Sequence, residues 1–388
     1  MSSRENLGPS REMQFGVWLP VYGGWLRVTD QSAEPDVANC LDIAKHAEGL
    51  GFDFLYASEN LLNCIHGPEQ AVADAWSMLS AVAATTESIG LCGAIKPGFR
   101  SPILVARMLD TLTKIARRPV AMNIVCGWWK TEFDVSGVDW LDHRRRYDRA
   151  EAFLRSIDSL FHPPVGMSTG ELAARIATAS SGEQSGSEDT EIIPTFGFRE
   201  GAMPEVWVAG HSDRAVNLVA ERGDCLFVNG MNDDDLVQQI QAVRREASKR
   251  GREVSIAANA YVLGAESSDE AKRRAADVVS KRNIDTIAFF RGVMDQSGGA
   301  AWADLEEEQM VDSNAGFELG LVGSFEEIQA RIGDLAEMGI NRIICQFDDP
   351  MRDAELFMKR VVRPLRSGWW NPSPATEAGS NSIRNLGM

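Results

Sequence analysis

Short apolar runs rich in β-branched residues alternate along this chain with longer stretches in which apolar positions recur every three or four residues. The short runs lie at 14–20, 54–58, 89–95, 120–127, 205–210, 225–230, 254–263 and 342–347. The helical patterns lie at 35–51, 71–86, 102–116, 143–161, 213–222, 234–251, 269–281, 325–339 and 352–365. Within the runs apolar residues continue without strict alternation, as in parallel strands covered on both faces. Gly51, Gly251 and Gly339 stand where helical patterns end before the second, seventh and eighth runs, places suited to left-handed backbone. Eight runs, each followed by at least one helix, predict an α/β chain folded as a (β/α)8 TIM barrel. No G-x-G-x-x-G follows the first run to favour an open doubly wound sheet.

Two stretches break the rhythm and are expected as insertions after strands four and seven. Residues 163–203 are rich in Ser, Gly and acids and too long for an ordinary connection. Their place in the chain puts them on the far side of the barrel from the loops that leave strand ends, unless the chain passes back over the top before strand five. Residues 283–322 follow the helix after strand seven and contain GGAAWADLEEEQ. The expected organisation is a flexible start at 1–13, a single catalytic domain at 14–366 and a loose tail at 367–388, with Trp369 and Trp370 as candidates to dock it.

Composition narrows the partners. Fifty-six acidic against 39 basic side chains give a formal charge of −17, a field that repels nucleic acid and anionic membrane. The start carries no apolar signal region and no run is long enough to span a bilayer, so a cytoplasmic protein is expected. Six cysteines without C-x-x-C spacing read as buried reduced thiols, and five scattered histidines give no metal-site pattern.

In a barrel the chemistry gathers where strands end. After strand four come Asn123, Cys126, Trp128 and Glu132. Asn123 is an amide inside an apolar strand: it pairs either with neighbouring backbone or with the polar edge of a heterocycle. His143, Arg146 and Tyr147 share one face of a helix start behind Asp142, a possible N-cap. They either grip an anionic group or belong to a solvated surface. Gly210, His211 and Ser212 end strand five and open a helix, whose N-terminus suits a phosphate, although Ser212 or Asp213 can equally cap it. Ser58, Glu59 and Asn60 end strand two. Lys96 ends strand three, as a surface charge or as a cation beside a ligand.

Taken in order, FGVWLP, Asn123-Ile124-Val125-Cys126-Gly127-Trp128 with Glu132, His143-x-x-Arg146-Tyr147, Gly210-His211-Ser212 and the late segment from Asn314 through Phe317 to Gly323 resemble the bacterial luciferase-like flavin monooxygenases. The resemblance is nearest to the dimethyl sulfone, alkanesulfonate and pyrimidine branch and covers 14–160 and 205–365. It implies FMN across the barrel mouth, with Ser58, Glu59 and Asn60 after strand two and Asn123 and Glu132 near the ring. It places His143, Arg146, Tyr147, Gly210, His211 and Ser212 toward the phosphate, and marks Asn123, Cys126, Trp128 and Lys96 as the residues nearest the chemistry. FMN would arrive as FMNH2 from a separate NAD(P)H-dependent reductase, and O2 would be the co-substrate. The small-molecule substrate is expected to be a sulfone or sulfonate, with C–S cleavage. A nitrogen heterocycle or amide is the alternative, as are a deazaflavin-dependent oxidoreductase on the same barrel and a flavin-storing protein without turnover. A dimer or tetramer is expected from the same resemblance.

Trp18, Trp128 and Trp25 are expected to line a mouth that excludes water. Three departures stand out. Cys126 occupies a place where relatives carry Thr or Ser, Lys96 one where they carry His or Arg, and 163–203 lacks their aromatic and proline-rich tract.

Overall fold

The computed structural model describes residues 13–162, 203–297, 306–312 and 314–367. Ten strands are present among them: β1 (Gln14–Trp18), β2 (Phe54–Ala57), β3 (Gly90–Ile95), β4 (Val120–Val125), β5 (Glu205–Ala209), β6 (Cys225–Val228), β7 (Ser255–Tyr261), β8 (Leu263–Ala265), β9 (Val322–Ser324) and β10 (Arg342–Gln346). Eight of them close in the order β1-β10-β7-β6-β5-β4-β3-β2, and every neighbouring pair is parallel. This is the predicted TIM barrel, and its strands are buried along almost their whole length because helices cover them outside.

The barrel interior is layered. At the N-terminal end of the strands Arg342 donates to Gln14 Oε1 at 2.8 Å and to Glu205 Oε1 at 2.6 Å. Above that plug the Phe54 and Trp207 rings meet edge to face at 5.4 Å. Gly16 makes room for them, since a Cβ there would lie 2.2 Å from the Phe54 ring. Side chains thus fill the lower barrel, and a cavity lies toward the strands' C-terminal ends.

Helix boundaries follow local chemistry. Asp36, Asp74, Asp142, Ser212, Asn232, Ser267 and Ser324 each accept a backbone N–H as N-caps. Gly51 and Gly339 end their helices in left-handed backbone, as predicted. The last helical stretch, predicted as one piece, runs through a π-helical turn at Met358–Val362 before Arg363–Arg366. Pro364 has no N–H to offer the Arg360 carbonyl, and Gln329 Nε2 donates to that oxygen instead at 2.6 Å.

Local detail adds to the predicted pattern and at one point corrects it. The seventh run breaks into β7 and β8, because the Leu263 N–H leaves the barrel and bonds the Leu321 carbonyl. β8 then pairs with β9 in a separate two-stranded parallel sheet. Where described, 283–322 is ordered: it holds the helix Ile284–Ser297, two 3-10 turns at Glu307–Met310 and Gly316–Leu319, and the start of β9. A short helix at Lys130–Ser136, absent from the predicted pattern, follows β4. The expectations for 1–13, 163–203 and 367–388 fall outside the described residues, apart from Met13, Met203 and Ser367. Among the described residues no helix is long and apolar enough to cross a membrane.

Candidate functional site

A cavity of about 580 Å³ opens at the C-terminal ends of the barrel strands. Its walls include Ser58, Glu59 and Asn60 after β2, Lys96 after β3, Asn123, Cys126 and Trp128 on and after β4, and Gly210, His211 and Ser212 after β5. His143, Arg146 and Tyr147 reach it from the start of the helix His143–Phe161. Residues spread over 150 positions of sequence therefore meet because parallel strands end at one level.

Asn123 is fully buried, and its Nδ2 donates to the Tyr56 hydroxyl at 2.7 Å. Its Oδ1 has no partner among the described residues. A neighbouring side chain, not backbone, takes the amine, and the oxygen remains unpaired at a residue that lines the cavity. Burial holds the Tyr56 hydroxyl well above the usual phenol range, so it stays protonated at neutral pH.

One sector of the wall is built around a buried cation. Lys96 forms an ion pair with Glu132 and donates to Asn60 Oδ1, while its backbone N–H donates to Glu59 Oε2 at 2.8 Å. Glu59 is held in turn by Arg100, which also reaches Asp74 at 3.0 Å. Asn60 Nδ2 donates to the Tyr22 hydroxyl, and Tyr22 and Ser58 share a 2.6 Å hydrogen bond. Lys96 is therefore not a surface charge. The Lys96 ammonium lies 5.7 Å from the centre of the Trp128 ring, within reach of its π face.

Glu132 does not line the cavity, contrary to expectation. It sits in the first turn of the helix Lys130–Ser136, fully buried, and its carboxylate is occupied by Lys96 and by the Leu61 N–H at 2.7 Å. It stands behind the wall and fixes Lys96. Trp25 is likewise absent from the lining; it packs edge-on against Trp18 with ring centres 5.9 Å apart, while Trp18 and Trp128 both face the space.

A second sector gathers Arg146, Tyr147, His143, Cys126 and the β5 end. Arg146 is buried, stacks over the Trp140 ring at 4.0 Å, and donates to the Leu141 carbonyl at 2.8 Å. Its Nε has no partner among the described residues; Arg146 and Tyr147 are buried here, while His143, Arg144 and Arg145 of the same helix start remain exposed. Asp142 caps that helix by accepting the Arg145 N–H at 2.9 Å.

Ser212 Oγ accepts the Ala215 N–H at 3.3 Å, which caps the next helix, and hydrogen-bonds with Tyr147. The cap uses an oxygen lone pair, so the same hydroxyl still carries a proton to share with Tyr147 or an anion. Gly210 sits at φ +145°, and a Cβ there would lie 2.6 Å from the Tyr147 oxygen. Gln239 braces this rim by donating to the Gly210 carbonyl at 2.8 Å and pairing with the His211 ring at 3.1 Å.

Burial, followed by nearby Arg146 and Arg214, holds the His143 imidazole below its usual range, and burial does the same for His211. Both rings are neutral at physiological pH. Burial pushes the Cys126 thiol up to about 12.

Several lining residues were not anticipated: Tyr22, Arg27, Tyr56, Phe227, Asn229, Phe290 and Asn314. Tyr56 and Phe227 share a strand face with Phe54 and Cys225, and period-two spacing carries that signal. Asn229 follows β6, a rim position of the same kind as Ser58. A lone cation in the apolar stretch from Val21 to Val28 marks Arg27.

A family model described as luciferase-like monooxygenase matches residues 13–342. An FMNH(2)-dependent dimethylsulfone monooxygenase from Pseudomonas putida is 27% identical over 365 residues, 92% of this chain and 96% of that protein. Among solved structures, a long-chain alkane monooxygenase (LadA) superposes with TM-score 0.73 at 18% identity, covering 95% of this chain and 94% of that one. DmoA from Hyphomicrobium sulfonivorans superposes with TM-score 0.68 at 18% identity, covering 97% of this chain and 92% of that one. At such identities the structural likeness speaks for the barrel alone.

Proposed function

The chain belongs to the luciferase-like monooxygenase family, and from that premise we propose that it is an FMNH2- and O2-dependent monooxygenase of a small organosulfur compound, a sulfone or sulfonate, with C–S cleavage. The similarity to an FMNH(2)-dependent dimethylsulfone monooxygenase along nearly the whole length of both chains supports the cofactor and the substrate class. In this reading the FMNH2 comes from a separate NAD(P)H-dependent flavin reductase, in keeping with the FMNH(2)-dependent name of that relative.

One observation of the structure carries the fit: a single cavity holds an orphaned buried acceptor, Asn123 Oδ1, together with a helix N-terminus flanked by Arg146. The acceptor suits the ring N–H of an isoalloxazine, and the helix start suits a phosphate. A volume of about 580 Å³ lies within the range of cofactor and ligand cavities.

In this reading Asn123 and Tyr56 orient the ring, and Arg146, Tyr147 and Ser212 hold the phosphate. Reduced FMN supplies the electrons that activate O2 for insertion into the substrate. Lys96, fixed by Glu132 and Asn60, keeps a positive charge in the wall, where negative charge that develops during oxygen transfer is stabilised. Trp18, Trp128, Phe227 and Phe290 keep water from the reacting atoms. The protein positions and shields, and the cofactor brings the chemistry.

The test is anaerobic reduction of bound FMN, followed by oxygen and a panel of sulfones, sulfonates, pyrimidines and amides with product masses measured. Oxygenated products with a broken C–S bond are expected. Ring-opened nitrogen products, or oxygen uptake with no product from any compound, would overturn the reading.

A further inference from the structure

Arg27 is fully buried and lines the cavity, in a wall sector separate from the one around Arg146. Its neighbours there include Cys64, whose thiol feels both Arg27 and Lys96, and Phe290, whose ring centre lies 3.7 Å from the guanidinium carbon. Nη1 donates to the Met310 and Asp312 carbonyls at 3.0 and 2.6 Å, and Nη2 to the Cys64 carbonyl at 3.1 Å. These partners are neutral. The acid beside it, Asp312, gives both carboxylate oxygens to the N–H groups of Asn314 and Phe317.

Burial pushes this guanidinium down to about 10, still fully charged at neutral pH. A guanidinium carries five N–H donors. Nε has no acceptor among the described residues, and one hydrogen of Nη2 is left over from the three bonds above. A structural clasp needs only those three bonds. The uncommitted donors and the net charge instead call for an anion from the cavity side.

We propose that Arg27 anchors an oxyanion group of the substrate, so that this sector takes a small organic anion of the sulfonate type in preference to a neutral sulfone. The proposal rests on the monooxygenase reading for its substrate, but not for the binding itself. Lys96 is compensated by a direct ion pair with Glu132, whereas Arg27, like Arg146 in the other sector, has no carboxylate bonded to it among the described residues, and Asp312 acts on it only across space. The Phe290 face and the Trp128 ring, with centres 6.2 Å apart, would border the organic part.

The test uses the full chain with FMNH2 supplied and compares methanesulfonate with dimethyl sulfone, two compounds of similar size that differ in charge. Arg27→Met is expected to raise KM for methanesulfonate roughly 10- to 100-fold, the loss of a charged hydrogen-bonded contact. The readout is the ratio of KM for methanesulfonate to KM for dimethyl sulfone, which should rise at least about tenfold whatever loss the buried substitution imposes on both compounds, with FMN affinity measured alongside. Arg27→Lys should recover part of the sulfonate affinity. Equal losses for both compounds, or a fall in FMN affinity with the sulfonate-to-sulfone ratio unchanged, would overturn the proposal.

Direct binding of methanesulfonate to the unaltered protein, followed by quenching of tryptophan fluorescence, gives an answer even where the variant does not fold. Absence of saturable binding there also overturns it. Binding that depends on Arg27 without turnover of either compound supports the anion site and sinks the monooxygenase reading instead.

Discussion

Asn123 gives its amine to the Tyr56 hydroxyl across the barrel interior at 2.7 Å and keeps its carbonyl oxygen unpaired beside the cavity. Asn123 lies on β4 and Tyr56 on β2, so the pair spans the strand between them and holds the amide in one orientation. Asn123→Ala is expected to weaken FMN binding roughly tenfold, the equivalent of one good hydrogen bond. Titration of the flavin absorbance reads this directly. An unchanged dissociation constant together with unchanged turnover would remove Asn123 from the site.

Ser212 serves two partners, the Ala215 N–H and the Tyr147 hydroxyl. Loss of the cap in Ser212→Ala should cost about 1 kcal/mol of stability. If the hydroxyl also faces a phosphate, affinity for FMN should fall while affinity for riboflavin, which lacks the phosphate, holds. A variant whose two affinities fall together has lost only the cap.

The buried pair Lys96 and Glu132 predicts strong coupling. Either Lys96→Met or Glu132→Leu alone strands a charge and should cost about 3–5 kcal/mol, measured by urea unfolding. The double variant should cost clearly less than the sum of the two. Simple additivity would mean that the two charges do not support one another.

Acid sensitivity should trace in part to His66. Its ring is buried beside Arg27, and burial, followed by that cation, pushes its pKa from 6.5 down to about 4. Between those values the unfolded chain binds a proton that the folded chain refuses. Stability is therefore present above pH 6.5 and is lost as pH falls toward 4. His66→Leu should flatten that limb of the stability profile, followed by denaturant midpoints across the window. A slope identical to that of the unaltered protein would exclude His66 as a contributor.

Gly210 is the backbone test of the phosphate sector. A methyl at this position would collide with the Tyr147 oxygen, and φ +145° is a conformation that other residues resist. Gly210→Ala should lose about 1–3 kcal/mol of stability and shift Tyr147. A variant as stable as the parent, with FMN affinity intact, would show that the rim has room to adjust.

The barrel and most of the rim were legible because parallel strands advertise themselves as unbroken apolar runs, and because the polar residues just after such runs must meet at one end. Asn123, Lys96 and Ser212 stand out by that rule and Arg146 by the shared face of a helix start, but only the family resemblance favours a ligand role for them over the structural alternatives. Glu132 was misplaced because position along the chain does not tell which side of a short helix faces the ligand; its pairing with Lys96 arises between separate strand ends. Arg27 escaped notice because its partners at Cys64, Met310 and Asp312 are backbone carbonyls, which no side-chain pattern can betray. β8 and β9 are three residues each, too short for any periodicity to register.

The thiol of Cys126 sits in the cavity wall and is held protonated far above neutral pH by its burial. Oxidants attack the thiolate form of cysteine, not the thiol. A sulfur atom in the wall of an oxygen-handling chamber would otherwise be consumed by stray oxidant, turnover after turnover. Here the burial that keeps water from the cavity wall also keeps this sulfur in its less reactive protonated form, which makes it a poorer target for stray oxidant.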